Sequence, residues 1–169
     1  MPDAYLFDTN IATAVWDKGN PDHLTARAYQ LSLGASVTVL VSVVTLAEVE
    51  YGLRIAPRID ASRQSDVRSA MSSYPLVMPI TRHTIEFYSE IRSKLFVDYS
   101  PKDARGRLTA HWVEDLVDRT TGKALGAQEN DIWIAAQALE MNVALVTDDK
   151  MDHMSRLVLD PPLRTIRWK

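Results

Sequence analysis

Acidic residues stand beside predicted strands and helices at four separate places in the sequence. Asp8 follows a short apolar segment, Glu48 lies one turn into a predicted helix, and Asp149 follows another apolar segment. Asp131 lies in the first turn of the helix just before that last segment. Carboxylates with no His or Cys nearby are the ligands that Mg²⁺ and Mn²⁺ prefer. The pattern predicts a metal site that activates water and neutralises charge developing on a phosphodiester.

Each of these acids also has a purely structural interpretation. Thr45-Leu46-Ala47-Glu48 matches the capping box, in which Thr and Glu satisfy free N–H groups at a helix start. The other acids would serve as a helix cap, a partner of a helix dipole or turn formers: Asp8 with Asn10, Asp131, and Asp148 with Asp149. The metal site is favoured because four separate segments deliver an acid to one edge of the predicted sheet.

The elements that position these acids alternate between strands and helices. Short apolar or β-branched segments predict strands, and apolar residues at helical spacing predict the helices between them. This order implies an α/β fold with a mostly parallel sheet, in which ligands bind beyond the carboxyl ends of the strands. The predicted strands are Ala4–Phe7, Val37–Val43, Leu76–Ile80, Val143–Thr147 and, at an edge, Arg164–Trp168. The predicted helices are Ala12–Trp16, His23–Leu33, Thr45 to about Arg54, Ala61–Ser72, Thr84–Phe96, Gln128–Met141 and one within residues 98–126.

Composition narrows the class of protein. The 169 residues fit one domain with a full hydrophobic core, and the absence of Cys excludes disulfides, zinc–thiolate sites and Cys nucleophiles. The net charge of −3 argues against a passive nucleic-acid-binding module, which is usually basic. The amino terminus does not look like a signal peptide, and no apolar run is long enough to cross a bilayer. We therefore expect a cytoplasmic protein that does not enter membranes.

Four motifs, in order along nearly the whole chain, resemble those of the PIN-domain family. They are Phe7-Asp8-Thr9-Asn10, the segment from Ser42 to Gly52 (SVVTLAEVEYG), Asn130-Asp131-Ile132-Trp133-Ile134-Ala135-Ala136, and Val146-Thr147-Asp148-Asp149. Within the family the sequence is most similar to the VapC-type toxins of bacterial toxin–antitoxin pairs. The last motif lacks the aromatic residue that usually follows it, and residues 98–126 form a longer segment than in a typical toxin.

The resemblance implies a three-layer α/β/α fold with a mostly parallel central sheet over one domain, residues 1–169. It implies a Mg²⁺- or Mn²⁺-dependent endoribonuclease that acts on RNA, forms a homodimer and is held inactive by a cognate antitoxin. Carried over by position, the metal ligands and catalytic acids would be Asp8, Glu48, Asp131 and Asp149, with Thr9, Asn10 and Thr147 in support. Asp148 and Asp149 compete for the fourth role. Asp149 is preferred because the family's last acid usually stands two places after the Thr or Ser.

Two other functions remain as alternatives. A phosphatase of the haloacid-dehalogenase-like kind uses an Asp on its first strand and a second Asp two places later, where this sequence has Asn10. A non-catalytic interaction module could use the same scaffold, with the acids only capping helices.

Four arginines could line an RNA path, although a solvated helix face is the commoner role of such charges: Arg54, Arg58, Arg63 and Arg68.

Overall fold

A computed structural model of the chain, which describes residues 4–57, 60–149 and 151–169, contains one five-stranded sheet. Every neighbouring pair of strands is parallel, in the order β3-β2-β1-β4-β5. The strands are β1 Ala4–Phe7, β2 Thr38–Ser42, β3 Val77–Met78, β4 Ala144–Thr147 and β5 Thr165–Arg167. The predicted α/β fold with a mostly parallel sheet is confirmed.

The register of the sheet aligns the carboxyl ends of its central strands. Phe7 at the end of β1 pairs with Val41 on one side and with Val146 on the other. The residues that follow, including Asp8 and Thr147, therefore emerge at the same edge. The side chains of β1 from Tyr5 to Phe7 and all those of β4 are buried, as expected for parallel strands covered on both faces.

The chain divides into two compact units, and the first contains the whole sheet. This unit comprises Met1–Pro79, Val143–Asp149 and Thr165–Lys169. Four helices belong to it: α1 Thr9–Trp16, α2 His23–Ser32, α3 Val43–Ile55 and α4 Ala61–Ser72. Its core joins buried residues of the central strands to the apolar face of α1, where Ile11, Ala14 and Trp16 are buried.

The second unit comprises Ile80–Asn142 and Lys150–Arg164 and is mainly helical. It contains α5 Arg82–Tyr99, α6 Glu129–Glu140 and α7 Asp152–Ser155. Tyr88 of α5 stacks on Trp133 of α6 with ring centroids 3.8 Å apart. Glu140 accepts hydrogen bonds from the hydroxyls of Thr81 and Thr84 at the start of α5, which joins the two helices at that end.

Several predicted elements need correction. The helix expected within residues 98–126 is wrong: that segment contains only a short 3₁₀ turn, Val113–Asp115, and two isolated β-bridges. Gly106, Gly122 and Gly126 have positive φ there, which breaks a helical path. The predicted strand Leu76–Ile80 shortens to two residues between Pro75 and Pro79, because proline cannot donate to a ladder.

The expectation of one domain over residues 1–169 stays a prediction. In the described part of the chain, no helix is long and apolar enough to cross a bilayer.

Candidate active site

Asp8 is a buried carboxylate at the junction between β1 and α1. It is the N-cap of α1, and its Oδ1 accepts a hydrogen bond of 2.7 Å from the backbone N–H of Thr9. Its Oδ2 accepts one of 2.7 Å from the Thr147 hydroxyl at the end of β4. The residue is only 3% exposed. The expected capping role of Asp8 is therefore present, but a cap alone does not require so deep a burial of the charge.

Asn10 connects Asp8 to Asp149. Its Nδ2 lies 3.1 Å from Asp8 Oδ2, 3.1 Å from Asp149 Oδ2 and 3.0 Å from the Oγ1 of Thr147. The Thr147 Oγ1 also accepts a bond of 3.0 Å from the backbone N–H of Asp149. One amide and one hydroxyl thus hold two carboxylates beside each other, one of them buried and the other exposed at the surface.

Glu48 lies inside α3 rather than in its cap. The helix begins at Val43, and its N-cap is Ser42, whose hydroxyl accepts a bond of 2.8 Å from the N–H of Val44. The capping-box interpretation of Thr45 and Glu48 is therefore wrong. Glu48 instead accepts a short hydrogen bond from the Thr9 hydroxyl, which also lies 3.2 Å from the hydroxyl of Thr45.

The charges of Asp149 and Glu48 act on the carboxylate of Asp8. Burial has the largest effect on the pKa of Asp8 and raises it, against the opposing effect of its hydrogen bonds from Thr147 and Thr9. The charges of Asp149 and Glu48 add smaller increases, and together these causes raise the pKa of Asp8 to about 6. A buried carboxylate with two acidic neighbours is unfavourable until a cation or a proton compensates it.

The donor set matches a hard divalent cation in chemistry, since every candidate ligand is a carboxylate oxygen. Among residues 4–57, 60–149 and 151–169, no three His, Cys, Asp or Glu side chains already stand together as a metal-binding group. The fit therefore rests on the electrostatic coupling of Asp8, Glu48 and Asp149, which a cation would relieve.

Asp131 belongs to the second unit, in the first turn of α6 as expected. Its Oδ2 accepts a bond of 2.9 Å from the backbone N–H of Gln128, so it satisfies a free donor at the helix start. Its role as a fourth metal ligand stays a prediction.

The model of one protein family covers most of this chain. The description of that family is "PIN domain", and the match extends over residues 5–157. The chain belongs to the PIN domain family. The matched range includes the Asp8, Glu48, Asp131 and Asp149 positions that the sequence motifs single out. No curated protein matches the sequence significantly.

Solved structures of toxin–antitoxin complexes share the fold of this PIN domain. VapBC2 from Rickettsia felis, bound to a promoter DNA fragment, has 19% identity and a TM-score of 0.65 over 98% of this chain and 99% of that chain. DNA-bound VapBC from Salmonella typhimurium has 21% identity and a TM-score of 0.59 over 98% of each chain. VapBC-5 from Mycobacterium tuberculosis has 18% identity and a TM-score of 0.55 over 98% and 99%. At these identities the likeness establishes the fold.

The two neighbouring acids of the last motif have different surroundings in this PIN domain. Asp148 forms ion pairs of 2.9 Å with Arg167 and 3.2 Å with Lys169, and the hydrogen bond from Arg167 lowers its pKa most. Asp149 instead shares Asn10 with Asp8. The geometry therefore joins Asp149 to Asp8 through Asn10 and joins Asp148 to the carboxyl-terminal strand, and the preference for Asp149 as the fourth acid stays a prediction.

Sequence reasoning missed the carboxyl-terminal residues of this site. The Nε1–H of Trp168 donates a bond of 3.1 Å to the Oδ1 of Asn10. Arg167 and Lys169 hold Asp148, as described above. The predicted edge strand Arg164–Trp168 already indicated these residues. A strand parallel to β4 ends at the same edge of the sheet as β4, where Asp8 and Asp149 lie.

Three of the four arginines proposed to line an RNA path are engaged in ion pairs. Arg63 binds both oxygens of Asp17, at 2.8 and 2.6 Å, and thereby lowers the pKa of that acid. Arg54 and Arg68 both contact Glu50. Arg58 lies outside the described residues. Arg54, Arg63 and Arg68 are thus paired with acidic side chains of the same chain. Their contact with RNA stays a prediction.

Asp8 should give the metal-free protein a distinctive pH dependence. Its folded pKa, about 6, exceeds the unfolded value near 3.8, so the folded state holds the proton more tightly. Protonation therefore stabilises the fold, and that stabilisation is lost as pH rises through the folded pKa. A shift of this size corresponds to about 3 kcal/mol. In EDTA, the unfolding free energy of the wild type relative to Asp8→Asn should fall between about pH 4 and pH 7.

Chemical denaturation at several pH values checks this expectation. The difference between wild type and Asp8→Asn isolates the titration of Asp8 from that of Asp17, whose lowered pKa acts at lower pH and with the opposite sign. A difference that stays constant from pH 4 to pH 7 would show that Asp8 is not held as an unfavourable buried charge.

Proposed function

We propose that this PIN domain is the toxin of a toxin–antitoxin pair and hydrolyses phosphodiester bonds of RNA with a bound Mg²⁺ or Mn²⁺ ion. The observation that carries the proposal is the buried carboxylate of Asp8, which is destabilised by its surroundings and coupled to Asp149 and Glu48. Proteins rarely bury a charge in this way without a compensating partner.

Asp8, Glu48 and Asp149 would hold the metal, and Asp131 is kept as a further proposed ligand. When bound, the metal would supply an activated water and neutralise charge developing at phosphorus. The chain's own residues would prepare the site. Asn10 already holds one oxygen each of Asp8 and Asp149, so these carboxylates are orientated before any ligand arrives.

Thr9 and Thr147 would each position different proposed metal ligands. The Thr9 hydroxyl holds Glu48, while the Thr147 hydroxyl donates to Asp8 and accepts from the backbone of Asp149. Such partners of metal ligands fix the direction of the lone pairs and tune affinity. Each carboxylate keeps lone pairs that these bonds do not occupy.

A cognate antitoxin is the proposed protein partner, because the structures that share this fold are complexes of toxins with antitoxins. A cavity of about 330 Å³ beside Thr9 and Glu48 supports this proposal. Val49, Leu53 and Val67 line it, so it suits an apolar side chain of a partner segment. Homodimer formation and a cytoplasmic location stay predictions.

The phosphatase alternative requires a second Asp two places after Asp8, and this chain does not have one there. The residue there is Asn10, whose amide cannot act as a general acid or base and already bonds two carboxylates. The interaction-module alternative needs acids that only cap helices. Asp8 caps α1 but also accepts hydrogen bonds from Thr147 and Asn10. Glu48 caps no helix, because Ser42 caps α3.

The experiment that separates these functions offers three substrates to the purified protein, freed of any partner. A mixed RNA pool, single-stranded DNA of matched length and a phosphomonoester would each be incubated with Mg²⁺, with Mn²⁺ and with EDTA. We expect internal cleavage of RNA that EDTA abolishes. Phosphate release from the monoester without RNA cleavage would support the phosphatase, and no reaction with any substrate would support the interaction module.

A further inference from the structure

We propose that Trp168, the residue before the last, is a positioning residue that orients Asn10 and through it the carboxylates of Asp8 and Asp149. Its indole Nε1 donates to Asn10 Oδ1 at 3.1 Å, and its side chain is buried in the core of the first unit. The part of this proposal that concerns metal binding and catalysis rests on the function proposed above.

The surroundings of Asn10 permit one orientation of its amide. The Oδ1 faces two groups that can only donate, the indole N–H of Trp168 and the backbone N–H of Asp148 at 3.3 Å. The Nδ2 faces the carboxylate oxygens of Asp8 and Asp149. Exchanging the two ends would place donors against donors and an oxygen against carboxylates. Trp168 supplies the shorter of the two bonds that hold the oxygen end.

The residues on both sides of Trp168 are anchored, which fixes the indole in place. Arg167 pairs with Thr147 in the ladder between β4 and β5, and its side chain binds Asp148. The Nζ of Lys169 binds Asp148 at 3.2 Å and lies 4.9 Å from the centroid of the Trp168 ring. The residues on both sides of Trp168 are thus attached to Asp148 of the last acidic motif.

Trp16 provides a matched control for a Trp→Phe substitution. It is also buried in the first unit, at 5% exposure compared with 7% for Trp168. Its Nε1 has no hydrogen-bond partner within the described part of the chain. Trp16→Phe therefore removes similar indole surface without removing a hydrogen bond, whereas Trp168→Phe also removes the donor to Asn10.

The first test uses metal-free protein and needs no catalytic activity. We expect Trp168→Phe to shift or broaden the side-chain amide signals of Asn10 in ¹H–¹⁵N NMR spectra, and Trp16→Phe to leave them unchanged. A second variant places benzothienylalanine at position 168, which keeps the bicyclic ring but replaces N–H with sulfur, so it tests the donor where Phe would disturb packing. Asn10 signals unchanged in both position-168 variants would overturn the proposal.

The second test measures the consequence for the metal site. Loss of a partner that orients a metal ligand typically lowers affinity or activity by about 10–100-fold. We expect that loss in Mn²⁺ affinity by calorimetry and in kcat for RNA, in both position-168 variants and not in Trp16→Phe. Wild-type affinity and kcat in both position-168 variants would contradict the proposal. Wild-type protein that binds Mn²⁺ but cleaves no RNA would defeat the proposed function alone, and the NMR and affinity measurements would still decide the role of Trp168.

Discussion

Replacing Asp8 with Asn should lower metal-dependent RNA cleavage by at least about 100-fold, since it removes a proposed metal ligand rather than a supporting group. The substitution changes one oxygen to nitrogen and removes the charge. Thr9 N–H can still donate to the remaining oxygen, so the cap of α1 survives. The measurement is the initial rate of cleavage of a defined RNA at saturating Mn²⁺.

The stability of the same variant separates this account from simple unfolding. Removal of a buried carboxylate with acidic neighbours should leave the metal-free protein at least as stable as the wild type at pH 7. An Asp8→Asn protein that is folded and inactive is the expected result. Full activity in a folded variant would exclude Asp8 from the reaction, and a variant that does not fold would mean that its hydrogen bonds outweigh its charge.

Replacing Asp149 with Asn should also abolish most of the activity, while the neighbouring Asp148→Asn should not. Asp149 is coupled electrostatically to Asp8 and shares its partner Asn10. Asp148 is committed to Arg167 and Lys169. We expect a loss of at least about 100-fold for Asp149→Asn. Partly exposed ion pairs contribute less than about 1 kcal/mol, so Asp148→Asn should change the rate by no more than about fivefold.

Asp148→Asn and Asp149→Asn make the same chemical change at adjacent positions, so each is the control for the effect of removing one negative charge from this motif. Metal affinity measured beside the cleavage rate would show whether Asp149→Asn acts through binding of the ion. The opposite order of effects, with Asp148→Asn inactive and Asp149→Asn active, would reverse the assignment of the last acid.

The sequence predicted the sheet edge well because its strands are short and their apolar runs end in polar residues. Asp8 after β1 and Asp149 after β4 follow from that pattern and from the parallel register alone. The preference for Asp149, however, depends on the resemblance to a family, since Asp148 and Asp149 both follow the strand directly and their position alone does not choose between them. In the structure the two acids differ in their contacts, because Asp148 pairs with Arg167 and Lys169 whereas Asp149 contacts Asn10.

Sequence reasoning failed where distant residues decide local structure. Thr45 and Glu48 have capping-box spacing, yet the N-cap of α3 is Ser42, three residues before Thr45, at the end of β2. The contact of Trp168 with Asn10 joins residues 158 positions apart, and no periodicity reports such a pair. The apolar side chains within residues 98–126 suggested a helix, but the segment forms only a short 3₁₀ turn. Turns at glycines with positive φ, rather than the helix propensity of the residues, determine the course of the backbone there.

Titration of metal-free protein with Mn²⁺ in a calorimeter tests the central claim, a divalent-metal site built on Asp8, most directly. A parallel titration of Asp8→Asn accounts for non-specific binding to surface carboxylates. The account predicts saturable binding to the wild type, accompanied by a higher melting temperature, and at least about 100-fold weaker binding to the variant. Equal binding curves for the two proteins, or no saturable binding to the wild type, would contradict it.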